Sequence, residues 1–218
     1  MKIEKIEKRV FGPKGKTTKV TFKDTETDRI YGRVVDGFAW PLGEKPGAIV
    51  TIAEAADRDH SLMHSPFHCY VLSEFYSQDL ESLYRRCLKH RDVLCVERVV
   101  GDSSNSIYRL WQECGGTSQR IYIAAPPRLE ETDLNYISQL IRRRTSLQKT
   151  LHFGSGSELP RNLTLLRGED TEKKSLDFFP QVAALGYALS ELESPAWGGG
   201  GTWTPTRKKT PRNLRYGR

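Results

Sequence analysis

Apolar and polar residues follow strand and helix spacings from about residue 29 to residue 193. The runs RIYGRVVDGFAW, GAIVTIAEA and FHCYVLSEFY have the length and the β-branched and aromatic content of strands. The run DVLCVERVV is almost continuously apolar, which is typical of a strand buried on both faces. Between them, one face of a helix is indicated by Leu80, Leu83, Tyr84, Cys87 and Leu88.

The remaining pattern predicts a second helix in NSIYRLWQEC, a fifth strand in RIYIAAP, a helix at about 132–148 and a last helix in FFPQVAALGYALSELE. We therefore expect an α/β fold, built on a mixed five-stranded sheet with helices on both faces. Three antiparallel strands are followed by two parallel ones. Right-handed crossovers place the first and fourth strands side by side.

Residues 29–193 are expected to form the main domain. Residues 1–28 predict a charged hairpin extension, with GPKG as its turn. Residues 194–218 predict a Gly-rich linker and a basic, disordered tail. The stretch GPKGKTT resembles a phosphate-binding loop, but Val10 stands where that motif requires its first glycine, and no helix pattern follows. No nucleotide triphosphatase is expected.

The charge is concentrated in the tail. The net charge is +7, but six of the 34 basic residues follow residue 206, leaving 28 basic against 27 acidic residues. Such a tail suits binding to nucleic-acid phosphates; a solubilising or partner-docking role is nearly as well supported. No apolar stretch is long enough for a membrane span and no signal peptide is indicated, so a soluble, cytoplasmic protein with reduced cysteines is expected.

Three aspartates are candidates for chemistry. Asp36 is expected to end the first strand and Asp102 the fourth, and ligands of open α/β sheets bind at the carboxyl ends of strands where the winding reverses. Asp177 opens the last helix. Each also has a structural interpretation: Asp36 as a turn residue before Gly37, and the other two as helix caps. Their expected convergence favours a site.

An aspartate after the first strand, an acid after the fourth and an aspartate before the ALGYAL helix resemble the ribonuclease H-like nuclease superfamily, most closely the nuclease domain of phage large terminase subunits. Holliday-junction resolvases share the pattern. The resemblance implies two Mg²⁺ or Mn²⁺ ions, with Asp36 bridging both while Asp102 and Asp177 each hold one. Glu97 is a substitute for the second acid.

The implied substrate is double-stranded DNA, and the implied partners are a separate packaging ATPase or a portal in the host cytoplasm. The residues expected to contact phosphates are Lys173, Lys174, Arg207, Lys208, Lys209, Arg212 and Arg215, with the run 142–144 as a further candidate. His60, His64 and His68 have zinc-ligand spacing, but a polar loop is favoured because Pro66 interrupts the segment. A non-enzymatic phage assembly or DNA-binding protein on the same fold remains an alternative.

Overall fold

The computed structural model describes residues 1–12, 15–57, 67–103, 107–114, 121–126, 134–164 and 179–194, with the backbone alone at 8–12 and 15–19. The strands of this part are β1 (Ile3–Gly12), β2 (Gly15–Asp24), β3 (Ile30–Ala39), β4 (Gly47–Ala55), β5 (Cys69–Ser77), β6 (Arg98–Gly101), β7 (Ile123–Ala124) and β8 (Leu151–His152). The helices are α1 (Leu80–Val93), α2 (Tyr108–Cys114), α3 (Leu134–Arg142, continued by a π-helical turn at Arg143–Leu147), α4 (Leu159–Thr164) and α5 (Pro180–Glu193).

The strand order in the middle of the sheet is β5-β4-β3-β6-β7. β3, β4 and β5 pair antiparallel, whereas β6 pairs parallel to β3 and β7 parallel to β6. This is the predicted order, so the mixed α/β fold is confirmed. The strand count differs from the prediction, because β1, β2 and β8 extend the same sheet to eight strands within the described residues.

Two strands are shorter than their apolar runs predict. The run starting at Asp92 forms a strand only over Arg98–Gly101, because α1 continues to Val93. Cys95 then has a φ of 54°, in the left-handed region that interrupts extended backbone. The fifth predicted strand is reduced to Ile123–Ala124. Apolar composition therefore predicted the burial of Val99, Val100 and Ile123, but neither the exposure of Tyr122 nor the backbone conformation.

The sheet is covered on both faces. On one face, α5 and α3 pack against alternate residues of β3 and β4, including Val35 and Val50. On the other face, α1 and α2 pack against Phe38 and Trp40, which form aromatic contacts with Trp111. The expected inward residues of α3 and α5 are all buried: Leu134, Ile137, Leu140, Ile141, Val182, Leu185, Leu189 and Leu192.

No helix in the described part of the chain is both long and apolar enough to cross a bilayer.

Helix α5 runs antiparallel to β3. Arg33, near the start of β3, donates to backbone carbonyl oxygens at the end of α5, including that of Glu191 at 3.4 Å, and also binds the Glu54 carboxylate at 2.8 Å. Further along β3, a Cβ added at Gly37 would lie 1.7 Å from the carbonyl oxygen of Ala184. Gly37 is therefore not a turn residue after Asp36, as one interpretation held. It lies inside the strand and permits the close approach of α5.

Substituting Gly37 by alanine is expected to destabilise the protein by about 3 kcal/mol or more, because backbone of α5 and not a flexible side chain occupies the space. The measurement is the free energy of unfolding in urea. Gly154→Ala is the matched control, since nothing lies within 4 Å of a Cβ at that position. Equal stability of the two variants would contradict the close packing of α5 on β3.

Candidate functional site

A carboxyl group at the centre of the sheet belongs to Asp36, whose side chain is completely enclosed. The Thr51 hydroxyl donates to its Oδ1 at 2.6 Å. Nδ1 of His90 lies 3.2 Å from both carboxylate oxygens and 3.0 Å from Thr51 Oγ1, while Nε2 of the same ring lies 3.2 Å from Ser73 Oγ. These four side chains, Asp36, Thr51, Ser73 and His90, are called the Asp36 network below.

The strand register produces the Asp36 network. Asp36 lies directly opposite Thr51, and Thr51 directly opposite Ser73, so β3, β4 and β5 place three polar side chains in a row on one face. Helix α1 crosses that face, and its residue His90 follows Leu83 and Cys87 at helical spacing. A proton on Nδ1 of His90 would donate to Asp36 and leave Nε2 to accept from Ser73.

A hydroxyl, an imidazole and a carboxylate in series are also the groups by which hydrolases activate a serine. That chemistry requires the hydroxyl and the ring to reach a substrate. His90 is 2% exposed and Asp36 is not exposed at all, because α1 lies over both. The arrangement therefore serves to satisfy a carboxylate in the core, where an unpartnered one would cost several kcal/mol.

Asp102 lies at the carboxyl-terminal edge of the sheet, directly after β6. Its carbonyl oxygen accepts from the indole N–H of Trp40 at 2.7 Å, which fixes it beside the end of β3. The expectation that Asp102 follows the fourth strand at its carboxyl end is confirmed by the bounds of β6. The first residue before α5, Phe179, lies at the same end of β3, since Lys45 in the β3–β4 connection is over its ring at 5.7 Å.

Asp36 does not end its strand, which corrects the prediction. β3 continues to Ala39, and Asp36 is level with Val99 of the parallel neighbour β6. Asp102 comes three residues after Val99, which corresponds to roughly 10 Å along the strand direction. The structure thus places both aspartates on the expected pair of strands, with Asp36 below the edge at which Asp102 lies.

Glu97, the substitute acid, lies on the other side of Asp36. Its backbone N–H donates to the carbonyl oxygen of Val34 at 3.0 Å, before β6 begins. Desolvation raises the pKa of its carboxyl group, against the opposing effect of Arg33 and Lys5. Glu97 therefore lies just before the amino-terminal end of β6, level with Val34 in the middle of β3 and away from the edge at which Asp102 lies.

Several predicted site residues lie outside the described part of the chain. They are Asp177, Lys173, Lys174, His60, His64, Arg207, Lys208, Lys209, Arg212 and Arg215. Their proposed roles stay predictions.

The described residues do not by themselves fit a two-ion centre. Among them, no group of three or more His, Cys, Asp and Glu side chains is placed to hold a metal ion. Both oxygens of Asp36 already have hydrogen-bond partners inside the protein. A Mg²⁺ or Mn²⁺ site at the carboxyl-terminal edge would thus need ligands in addition to Asp102, and Asp177 is the predicted one.

His68 takes part in a contact that its sequence spacing did not predict. Its Nδ1 lies 2.7 Å from Nε2 of His152, and the two rings stack. His152 also stacks on Tyr70, which carries the guanidinium of Arg29 at 4.2 Å on its ring. Desolvation, followed by the charges of His68 and Arg29, lowers the pKa of His152. The ring partner of His68 therefore comes from β8.

The run of arginines after α3 contributes to structure. Arg144 is buried, binds Glu193 at 3.0 Å and donates to the carbonyl oxygen of Phe67 at 2.7 Å. Arg143 binds the same glutamate at 2.6 Å. The expectation that Arg144 binds phosphate is therefore wrong. Its guanidinium connects Glu193 at the end of α5 to Phe67 ahead of β5.

No protein-family model matches this chain, and no curated protein matches it. Among solved structures, it is similar to the nuclease domain of the large terminase of bacteriophage SPP1, determined with bound Mn. The two share 14% sequence identity over 74% of this chain and 87% of that domain, with a TM-score of 0.43. The strand order described above, rather than this similarity, defines the fold.

The Asp36 network yields a prediction about stability. His90→Leu should destabilise the protein by about 3–5 kcal/mol, because it leaves a buried carboxylate with only the Thr51 hydroxyl. Adding Asp36→Asn should restore part of that loss, since the amide carries no charge. The measurement is a double-mutant cycle from urea unfolding. Strict additivity of His90→Leu and Asp36→Asn would contradict the coupling.

Proposed function

We propose that this protein is a divalent-metal-dependent endonuclease that cleaves phosphodiester bonds of DNA, in phage genome packaging, with Mg²⁺ or Mn²⁺ as cofactor. The observation that carries the proposal is the meeting of two acid-bearing segments at one end of β3. Asp102 follows β6 there, and the start of α5 lies at the same end. This is the switch point of the sheet, where open α/β folds bind their ligands.

Asp177 completes the proposed site by sequence position. It comes two residues before Phe179, the first described residue ahead of α5. Carboxylate oxygens are the ligands that Mg²⁺ and Mn²⁺ prefer in proteins. In this proposal Asp102 and Asp177 hold the cation at the edge, whereas Asp36, which is hydrogen-bonded inside the core, supports the strand beneath them. The tail cations beyond residue 206 then bind DNA phosphates.

The Asp36 network favours a second candidate. With the Asp36 carboxylate fully bonded inside the core, the chain would be a DNA-binding protein of phage assembly that retains the fold without the chemistry. A Holliday-junction-resolvase-like nuclease is the third possibility. It shares the proposed acids and differs in its substrate, branched DNA.

The test is nicking of supercoiled plasmid in Mn²⁺. We expect the wild type to cut and EDTA to abolish cutting. Asp102→Asn, Asp177→Asn and Asp36→Asn should each reduce the rate by about a hundredfold or more, because substituting even a residue that only orients a metal ligand lowers activity by about 10–100-fold. Asp92→Asn is the control, because this acid is exposed and its ion partner is the neighbouring Arg91. Its rate should equal that of the wild type.

Two further measurements separate the candidates. Calorimetry with Mn²⁺ alone should show heat of binding that is lost in Asp102→Asn, whether or not DNA is cut. The unfolding midpoint of each variant shows whether a lost rate reflects a lost fold. Absence of both cutting and Mn²⁺ binding in a folded protein that still binds DNA would refute the nuclease and support the second candidate. Preference for branched over linear DNA would identify the resolvase-like activity.

A further inference from the structure

The hairpin of β1 and β2 extends away from the rest of the sheet. Its strands pair without interruption from Ile3 opposite Asp24 to Gly12 opposite Gly15. Only Phe22 and Lys23 of β2 pair with β3. Val20, opposite Glu7, still packs on the apolar base of the hairpin. In the described part of the chain, the five rungs beyond it, from Lys8 opposite Lys19 to Gly12 opposite Gly15, pair only with each other, over roughly 17 Å of ladder.

The base of the hairpin is anchored and electrically balanced. Ile3 and Phe22 are buried in a cluster with Tyr31 and Val34 of β3. The acids of the base have nearby cations: Lys2 lies 3.6 Å from Glu4, Lys5 lies 2.8 Å from Glu7, and Lys23 lies 2.7 Å from Asp28. The hairpin is therefore attached to the sheet by its apolar base and carries little net charge there.

The outer part has the opposite character. Residues 8–19, here called the arm, carry Lys8, Arg9, Lys14, Lys16 and Lys19 and no acidic residue. Lys8 and Lys19 are directly opposite each other in the ladder. The arm thus concentrates positive charge on a projecting element.

We propose that the arm binds duplex DNA, as a two-stranded ribbon along the phosphate backbone and the major groove. This inference deepens the proposed function, and rests on it for the identity of the polyanion as the DNA substrate. The major groove is about 12 Å wide and admits a two-stranded β-ribbon. Each phosphate that a lysine or arginine neutralises releases counterions, which makes the binding dependent on salt. The arm thereby adds a second DNA contact, on an element anchored at the start of β3.

The experiment measures the affinity of the full-length chain for a short DNA duplex by fluorescence anisotropy over a series of salt concentrations, with EDTA present. The arm variant is Lys8→Gln/Lys16→Gln/Lys19→Gln. The control, Lys2→Gln/Lys5→Gln/Lys23→Gln, removes the same charge at the base. We expect the arm variant to bind at least about tenfold more weakly at low salt, and its slope of log affinity against log salt to fall by about 0.9 for each lost phosphate contact. The control should keep the wild-type slope.

Equal effects of the two triple variants, or an unchanged slope in the arm variant, would overturn the proposal. Folding is checked by the unfolding midpoint, which in the arm variant should equal that of the wild type, because the substitutions leave the backbone ladder of the hairpin unchanged. Since binding is measured without metal, a failed nuclease assay leaves this result intact. If the arm proposal is wrong, plasmid nicking by the control variant is likewise unaffected.

Discussion

The close packing of α5 against β3 is the constraint on which the rest of the architecture depends. At Gly37 the strand has no side chain, and the backbone of α5 occupies the space that one would need. Arg33 holds the far end of the helix through its terminal carbonyl groups. The helix is thus fixed in position and direction on the central strand. Its first turn is directed to the carboxyl end of β3, and this brings Phe179, the residue before Pro180, to the end of the strand beside which Asp102 lies.

The opposite face of the same strand has a different problem, which is a carboxylate in the core. Asp36 is tolerated because β4 and α1 supply a hydroxyl and an imidazole at hydrogen-bonding distance. The network links three strands and a helix through one charged group, and removal of any partner leaves polar atoms without solvent. An acid retained in such a place, beside the switch point, is more costly than the leucine or valine that would fill the same space.

The order of elements could be predicted from the sequence because it depends on periodicity, which each segment carries by itself. The buried positions of α3 and α5 and the order of the five middle strands followed in this way. The site could not be predicted as well, because it depends on register. Asp36 reads as a turn residue before a glycine, yet the glycine serves packing by α5 from a distant part of the chain. His90 continues the face of Leu83 and Cys87, a signal that was present and was missed. The pairing of His68 with His152 depends on β8, whose two residues carry no recognisable pattern.

The origin of α5 in the chain has a consequence for synthesis. β3, β4, β5 and α1 are contiguous between residues 30 and 93, so the Asp36 network can assemble as soon as that segment leaves the ribosome. The Gly37 face of the same strand is covered later in the chain, by α3 and by residues 180–193 of α5. Until these are made, the nascent protein exposes an apolar sheet surface, and such surfaces promote aggregation in partly folded chains. The interval between translation of the central strand and of its last helix is therefore the period in which this surface is least protected.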